Sequence, residues 1–374
     1  MYTSFEHQSV LLQETLEYLK IEPKDQVVDG TLGLGGHALS ILGQLGSGGH
    51  YYGFDLDETN LAQAKQRLKE FSSHVTFFHD NFAHCQDRLN SIGVTSVSKI
   101  LLDLGLSSPH VDDSTRGFSL QKEGPLDMRF DRSSGMTAAE VLNTWSEEDL
   151  RHIFYRYGEE RYAPKAASLI VERRREKKFE TTSELRAVIH EIMTHPADER
   201  RMSTRIFQAL RIAVNDELEV LGKAIPPLLS LLKPGGRMVV LSYHSLEDRI
   251  VKQAFKYAIQ TCHCPPQVLQ CTCPRDPSFR LLTKKPIVPS DSEIQSNPRS
   301  RSAKLRAIER LGRHFSTFPS PCLILFSLTN KPRILRPRRI GRRLRLLRFR
   351  WGQGLLGFGC LFGLRLWGGF HGRI

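Results

Sequence analysis

The stretch that decides the fold is VVDGTLGLGGH at residues 27–37, followed by ALSIL at residues 38–42. Two β-branched residues lead into an aspartate, a glycine-rich turn follows, and the next segment has helical character. This order predicts a strand, a tight loop and the start of a helix. Glycine lets a backbone approach a ligand closely, and a helix N-terminus offers free N–H groups and a positive dipole end. The stretch therefore predicts a ligand-binding turn at the start of an α/β fold.

The glycine turn leaves the identity of that ligand open. Gly33-x-Gly35-x-x-Ala38 matches a relaxed dinucleotide fingerprint, with the acidic Asp55 about 20 residues further on. No Gly-Lys-Ser/Thr follows, which disfavours a phosphate-binding P-loop. The carboxylate of Asp29 suits a neighbouring amino group, such as that of S-adenosylmethionine (SAM), better than a pyrophosphate. SAM is the favoured ligand, and a dinucleotide or a purely structural turn remain as alternatives.

The segments around this turn predict a doubly wound sheet. Four segments are apolar enough for buried strands: residues 26–29, 50–55, 75–78 and 100–104. A helix is predicted at residues 58–71, which carry apolar side chains at helical spacing. Strands that alternate with helices in this way form a parallel sheet covered on both faces.

The alternation stops after the fourth strand and resumes later. Residues 111–205 contain no convincing strand but predict helices at 147–157, 163–177 and 182–193. Residues 206–232 predict one helix, or two broken near Pro226-Pro227. A strand at 237–243, a helix at 245–259 and strands near 280–283 and 303–307 then complete the sheet. The predicted organisation is an α/β domain in two parts, 1–110 and 206–312, a helical insertion at 111–205 and a tail at 313–374.

The charge of the chain is unevenly distributed. The formal net charge is +13, yet the tail from residue 313 holds 13 of the 53 Lys and Arg residues and none of the 40 acidic ones. Residues 1–312 therefore carry equal numbers of basic and acidic side chains. The basicity of the whole chain comes from the tail and is no argument that the folded body binds nucleic acid. The tail, rich in Arg, Leu and Gly, is predicted to be disordered, with an RNA-contacting arm as the alternative.

Cysteine usage and hydropathy indicate a soluble cytosolic protein. The N-terminus has no signal-peptide pattern, and the longest apolar run, residues 354–364, is too short for a bilayer. Two Cys-x-Cys pairs lie close together in the chain. Reduced thiols are favoured, so no metal ligand is assigned, and tetrahedral zinc remains the alternative. The four cysteines are Cys262, Cys264, Cys271 and Cys273.

Polar residues at predicted strand ends are the candidates for chemistry. Ligands of open α/β sheets lie beyond the carboxyl ends of the strands. Asp55 is predicted to accept hydrogen bonds from ribose hydroxyls, or alternatively to cap the next helix. Phe82 is predicted to face an adenine ring, or alternatively to be a core residue. His244 is a candidate base or orienting group, with a core histidine beside a helix cap at Ser245 as the alternative.

The loop DLGLSSPH at residues 103–110 is the candidate acceptor site, meaning the place where an amino group that accepts a methyl group would be held. An aromatic amine delocalises its lone pair into the ring, so its methylation requires an acceptor that orients the NH₂ group. Asp103 and the following Ser107-Ser108-Pro109 supply polar groups for this task. A plain turn at a strand end is the alternative.

Together these residues resemble the RsmH (MraW) family of small-subunit rRNA cytosine-N4 methyltransferases over about residues 5–312. The motifs that carry the resemblance extend along that whole length. They are HQSVLL at 7–12, DGTLGLGGH at 29–37, LLDLGLSSP at 101–109, RGFS at 116–119, GPLDMR at 124–129, YGEER at 157–161, TRIFQALRI at 204–212, SLEDR at 245–249 and NPRSRS at 297–302.

The resemblance implies a class I, Rossmann-like SAM-dependent methyltransferase with a helical domain inserted after the fourth strand. It implies transfer of a methyl group from SAM to the N4 amine of a cytosine in 16S rRNA, with the rRNA or the small subunit as partner. Many members have Gln where this chain has His110, and the tail lies outside the pattern. The SAM contacts implied by position are Gly35, Gly36, His37, Asp55, Phe82, Asp103 and His110.

Two other functions and a set of arginines complete the expectations. An NAD-dependent oxidoreductase shares the glycine turn, and a non-catalytic ribosome-assembly factor could retain a SAM pocket. Five arginines are candidate phosphate or base contacts, each with a structural ion pair as the alternative. They are Arg116, Arg129, Arg205, Arg211 and Arg249.

Overall fold

The computed structural model describes residues 9–193, 195–262 and 277–312, and in these residues the sheet has seven strands. Their spatial order is β3-β2-β1-β4-β5-β7-β6. Strands β1 to β5 run parallel, and β7 runs antiparallel to both neighbours. The strands are β1 Gln26–Asp29, β2 His50–Asp55, β3 Val75–His79, β4 Val97–Asp103, β5 Leu232–Ser242, β6 Phe279–Leu281 and β7 Lys304–Arg310.

The central strands are buried on both faces, as their apolar sequences require. Six of the seven residues of β4 are buried. Because successive side chains alternate across a strand, Ile100 and Leu102 enter the core on one face and Leu101 enters the core on the other. The doubly wound α/β fold predicted from the sequence is confirmed.

Helices cover both faces of this sheet. The segment after β2 forms a helix that ends at Arg67 and a separate 3₁₀ helix at Lys69–His74, where one helix to residue 71 was predicted. Part of the predicted 103–110 loop forms a short helix. The helices packed around the sheet are α1 Leu12–Leu19, α2 Gly36–Leu42, α3 Glu58–Arg67, α4 Cys85–Ser91, α5 Ser108–Asp112, α11 Glu217–Leu231, α12 Ser245–Ala258 and α13 Asp291–Ser296.

The region between α5 and α11 is helical and has its own apolar core, which extends from Phe118 to Ala213. Capping boxes at Thr137 and Thr181 start two of its helices. The helix that begins after Thr137 was not predicted from the sequence. The helices are α6 Ala138–Thr144, α7 Glu147–Arg156, α8 Ala163–Glu176, α9 Thr182–Ile192 and α10 Pro196–Asn215.

The break in the long helical stretch lies elsewhere than predicted. Asp216, in the left-handed conformation with φ 52°, separates α10 from α11, and Pro226-Pro227 lie inside α11. Within α11, Ser230 Oγ donates to the carbonyl oxygen of Pro227 at 2.8 Å. The predicted boundary after Arg205 falls within α10.

The structure bears on the hydropathy of the helices but does not describe the tail or most of the clustered cysteines. Within the described ranges, every helix is too short or too polar to cross a membrane. The predicted disordered tail at 313–374 and three of the four clustered cysteines, Cys264, Cys271 and Cys273, lie outside the described residues.

Candidate active site

Three aspartates end three neighbouring strands at one edge of the sheet. Strand β1 lies between β2 and β4 in parallel register, and Asp29 pairs with Gly53 on one side and with Leu101 on the other. Asp55 and Asp103 end the two flanking strands. The structure therefore brings together, at the carboxyl ends of the strands, the acidic groups that the sequence places at separate positions.

The Asp29 carboxylate forms a hydrogen bond with the first part of the glycine turn. Its carboxylate accepts hydrogen bonds from Tyr51 Oη at 2.5 Å and from the Thr31 N–H at 3.0 Å. The residue is only 1% exposed. Both oxygens of Asp29 therefore accept hydrogen bonds within the protein, and its contact with a ligand amino group stays a prediction.

Asp55 holds the turn from the neighbouring strand. Its two oxygens accept the Gly33 N–H and the Asp57 N–H, each at 2.7 Å. Burial raises the pKa of Asp55 to about 7, although both N–H groups favour the ionised form. Asp57, and not Asp55, caps α3 through the Thr59 N–H at 2.8 Å. The alternative of Asp55 as a helix cap is therefore wrong.

The glycines of the turn meet steric demands that other residues do not. Gly33 and Gly35 have φ values of 54° and 76°, a region that strains residues with a Cβ. Gly35 precedes the first residue of α2. A Cβ on Gly36 would lie 2.3 Å from Ser9 Oγ. The turn thus presents bare backbone and a helix start toward the acidic edge.

Asp103 is the centre of a hydrogen-bonded network at the same edge. Tyr243 Oη donates to Asp103 Oδ1 at 2.8 Å, and His37 Nδ1 lies 3.6 Å from Oδ2. Thr31 Oγ1 accepts the backbone N–H of Asp103 at 2.6 Å. Burial and the nearby Asp103 raise the pKa of Tyr243 well above its ordinary value, so its hydroxyl remains a donor. The network fixes the carboxylate and leaves it partly exposed.

His37 connects this carboxylate to the N-terminal segment. Its Nε2 contacts the carbonyl oxygen of Val10 at 3.1 Å. Because a carbonyl oxygen only accepts, Nε2 carries the proton. The imidazole is nearly buried, so its orientation beside Asp103 is fixed.

The segment from Ser107 to Asp112, after β4, is held by residues from two other segments. Ser107 Oγ donates to Asn60 Oδ1 at 3.2 Å. Arg299 donates to Ser108 Oγ at 2.6 Å and to Asp112 Oδ1 at 2.8 Å. Pro109 occupies the first turn of α5, where its missing N–H has no cost. The candidate acceptor residues thus lie on a pinned segment beside Asp103.

A buried cluster joins this loop to the helical region. Asp57 accepts hydrogen bonds from His110 Nε2 at 2.8 Å and from Arg116 Nη1. Burial opposes ionisation of Asp57, but these two donors hold its pKa well below the ordinary value. Burial also lowers the pKa of His110, which lies 5.2 Å from the rings of Phe118 and Phe130. Within the described residues, His110 Nδ1 has no hydrogen-bond partner.

Phe82 and His244 both have structural contacts. Phe82 packs against the core, and a Cβ on Gly30 would lie 2.7 Å from its Cβ. His244 is the N-cap of α12 and accepts the Glu247 N–H at 3.5 Å. The predicted cap at Ser245 is therefore wrong by one residue. A ligand contact at Phe82 and a chemical role for His244 stay predictions.

Glu217, His244 and Glu247 lie close enough together to ligate a cation. Arg211, however, donates to both carboxylate oxygens of Glu217 at 2.8 Å and lies 4.0 Å from Glu247. The guanidinium already supplies the positive charge that these carboxylates need. We therefore assign no metal to this cluster.

The five candidate arginines all form ion pairs. Arg116 and Arg211 are largely buried in theirs, which favours the structural alternative. Arg129 pairs with Asp127, Arg205 with Glu160, and Arg249 with Glu159. Arg205 and Arg249 keep 40% and 52% of their side chains exposed. Of the five, these two have the most surface available to a phosphate.

Sequence reasoning missed several residues that organise the site. Tyr243 follows β5, which is the neighbour of β4, so a correct strand order would have placed it beside Asp103. For Asp57 the sequence predicted only that a helix begins after it. Arg299 lies in NPRSRS, but no sequence pattern identifies Ser108 as its partner.

The strand order, the antiparallel β7 and the acidic edge define a Rossmann-like, SAM-dependent methyltransferase. The edge fits that cofactor: carboxylates at strand ends suit a ribose diol and an ammonium group, and repel a pyrophosphate. Residues 4–311 match the model of the MraW methylase family. The chain belongs to this family, which excludes the oxidoreductase alternative.

Curated relatives support the same conclusion. The chain is 49% identical over 309 residues to ribosomal RNA small subunit methyltransferase H of Geobacter sp. (strain M21), covering 82% of this chain and 99% of that protein. It is 48% identical over 309 residues to the protein of that name from Syntrophotalea carbinolica, covering 82% and 98%. For the Halothermothrix orenii protein of that name the identity is 44% over 310 residues, covering 82% and 99%.

Proposed function

We propose that this protein transfers a methyl group from SAM to the N4 amine of a cytosine in 16S rRNA, in the cytoplasm. The observation that carries the proposal is the fixed carboxylate of Asp103 beside a polar loop, in a chain of the MraW methylase family. The relatives cited above are named as small-subunit rRNA methyltransferases.

SAM, when bound, supplies an electrophilic methyl group. The residues proposed to hold it are those at the glycine turn and the strand ends. Asp55 accepts from the ribose hydroxyls and Phe82 packs against the adenine. The unpaired Nδ1 of His110 is an acceptor that suits a donor such as an adenine amino group. The proposed set is Gly35, Gly36, His37, Asp55, Phe82, Asp103 and His110.

The proposed chemistry needs an acceptor for the cytosine amine. Asp103 Oδ1 is engaged by Tyr243, which leaves Oδ2 and the Ser107-Ser108-Pro109 segment to orient the NH₂ group. As the N–C bond forms and the S–C bond breaks, nitrogen becomes positively charged and loses a proton. Asp103, His244 or water takes this proton. Holding the amine in line with the methyl group is the main contribution of the protein.

Analysis of rRNA nucleosides tests the proposal directly. Purified protein and SAM are incubated with unmethylated 16S rRNA and, separately, with small subunits assembled from it. The digested nucleosides are then examined by mass spectrometry. N4-methylcytidine in either sample is the expected result, and the sample that contains it identifies the substrate. SAM binding without methylated nucleoside in both samples would support the non-catalytic assembly factor instead.

A further inference from the structure

The turn between α7 and α8 presents aromatic side chains to solvent. Tyr155, in the last turn of α7, is 63% exposed, and Tyr162, directly before α8, is 37% exposed. Soluble proteins often expose single apolar residues, so exposure alone does not identify a binding surface. The hydroxyl group of a tyrosine makes an exposed ring compatible with water while the ring face remains available for stacking.

The backbone that carries Tyr162 is fixed from inside the protein. Its N–H donates to Glu160 Oε1 at 2.9 Å, and Glu160 is only 2% exposed. The other oxygen of Glu160 pairs with Arg205 Nη1 at 3.4 Å. A ring presented on a fixed backbone loses less conformational entropy when it stacks on a ligand than a ring on a mobile loop does.

Basic residues flank this ring in the chain. The Arg161 guanidinium lies over the Tyr162 ring, 4.7 Å from its centroid. Arg156 and Lys165 are exposed and form no ion pair within the described part of the chain. A ring backed by a guanidinium, with further exposed cations a few residues away in the chain, suits a polyanion whose bases are unstacked. Single-stranded RNA has this chemistry.

The turn is attached to the edge of the sheet where the acceptor is proposed to lie. Glu159, in the left-handed conformation with φ 49°, accepts hydrogen bonds from Ser245 Oγ at 2.9 Å and from Arg249 at 3.2 Å. Ser245 begins α12 just beyond β5, and β5 is the neighbour of β4, which ends at Asp103. A strand of RNA bound at the edge can therefore continue onto this turn.

We propose that Tyr162, backed by Arg161, is a stacking platform for an unpaired base of the rRNA. The platform binds RNA through ring faces and cations, and it takes no part in the chemical step. This inference rests on the proposed function, because it assumes an RNA substrate.

The test compares binding of a fluorescein-labelled single-stranded oligocytidylate to full-length variants by anisotropy. Tyr162→Ala should weaken binding about tenfold, the usual effect of losing one stacked base. Tyr162→Phe keeps the ring and should bind like the wild type. Arg175→Ala removes an exposed cation from the other end of α8 and serves as the charge control, with an expected loss of at most about twofold. The basic tail is the same in every variant, so its contribution cancels.

Activity on 16S rRNA gives the second measurement. Tyr162→Ala should raise KM for the RNA about tenfold, with SAM affinity and kcat close to the wild type. Unchanged RNA binding in Tyr162→Ala, or an equal loss in Tyr162→Phe or Arg175→Ala, would overturn the platform. Absence of N4-methylcytidine with the wild-type protein would instead overturn the proposed function, so the two failures are distinguishable.

Discussion

The glycine turn after β1 and the polar loop after β4 lie at the same edge of the sheet but are held in different ways. The turn is fixed mainly by its own strand and by β2, through Asp29 and Asp55. The loop is fixed by Asn60, Tyr243 and Arg299, which come from three distant segments. The first region is therefore determined locally, and the second depends on completion of the whole fold.

This difference separates binding from catalysis. Damage to the glycine turn should act mainly on SAM affinity, because the turn can form without the rest of the site. Damage to the part of the loop that orients the cytosine amine, namely Asp103 Oδ2 and the Ser107-Ser108-Pro109 segment, should act mainly on the rate. Substitutions at the two regions, and a change of pH, can therefore separate the two effects.

Asp103→Asn should lower kcat for methylation about 10²- to 10³-fold, the usual loss when a preorganised polar group at the reacting centre is removed. The amide has nearly the same shape, so the fold should be retained. Nucleoside mass spectrometry at saturating SAM measures the rate, and calorimetry measures SAM affinity. The matched control Tyr243→Phe removes only the hydroxyl that holds Asp103, and we expect a smaller loss. A larger effect on SAM affinity than on kcat would contradict the proposed division.

Arg116→Met should destabilise the protein by about 3–5 kcal/mol, because it leaves the buried carboxylate of Asp57 short of its cationic partner. Denaturant unfolding measures this change. Arg249→Met breaks an exposed ion pair with Glu159 and should cost at most about 1 kcal/mol. Equal losses in the two variants would mean that the Asp57 cluster is not a buried anchor between the loop and the helical region.

SAM affinity should rise with pH through about 7. Ribose hydroxyls donate to the ionised carboxylate of Asp55, whose pKa burial raises to about 7, so binding competes with protonation below that pH. The dissociation constant of SAM should be about tenfold larger at pH 6 than at pH 8 and should not change further above pH 8. Calorimetry at these pH values measures it. In Asp55→Asn the remaining pH dependence should be flat; an unchanged slope would assign the titration to another group.

Arg299→Ala should lower kcat about two- to fivefold, since its bonds to Ser108 and Asp112 are partly exposed to solvent. SAM affinity should be unchanged. Arg301→Ala, in the same NPRSRS segment but with no ion pair within the described residues, is the control. A reduced SAM affinity in Arg299→Ala would show that the two regions are not separable at this contact.

The sequence was sufficient for the sheet and the glycine turn because both depend on local pattern. The order of apolar strands and the turn at Gly33 and Gly35 predicted the positions of Asp55 and Asp103 correctly. The sequence does not reveal that Tyr51, one strand away, donates a hydrogen bond to the carboxylate of Asp29. The family was recognisable because its motifs extend over nearly the whole body.

The remainder depends on contacts between distant residues. His244 and Ser245 are both plausible helix caps, and only the backbone geometry makes His244 the cap. Pro226 and Pro227 suggested a break that the chain makes instead at Asp216, where a left-handed residue ends α10. The contacts of Arg299 span 191 and 187 residues. Such pairings follow from the assembled fold and have no local signature.

The position of NPRSRS has a consequence for how the protein is made. Ser108 is synthesised 191 residues before Arg299, and β7, which lies between β5 and β6 in the sheet, follows both in the chain. A growing chain can therefore complete its glycine turn while its acceptor loop is still untethered. The donor turn can therefore form early in synthesis, whereas the acceptor loop gains its last contacts only when the NPRSRS segment has been made.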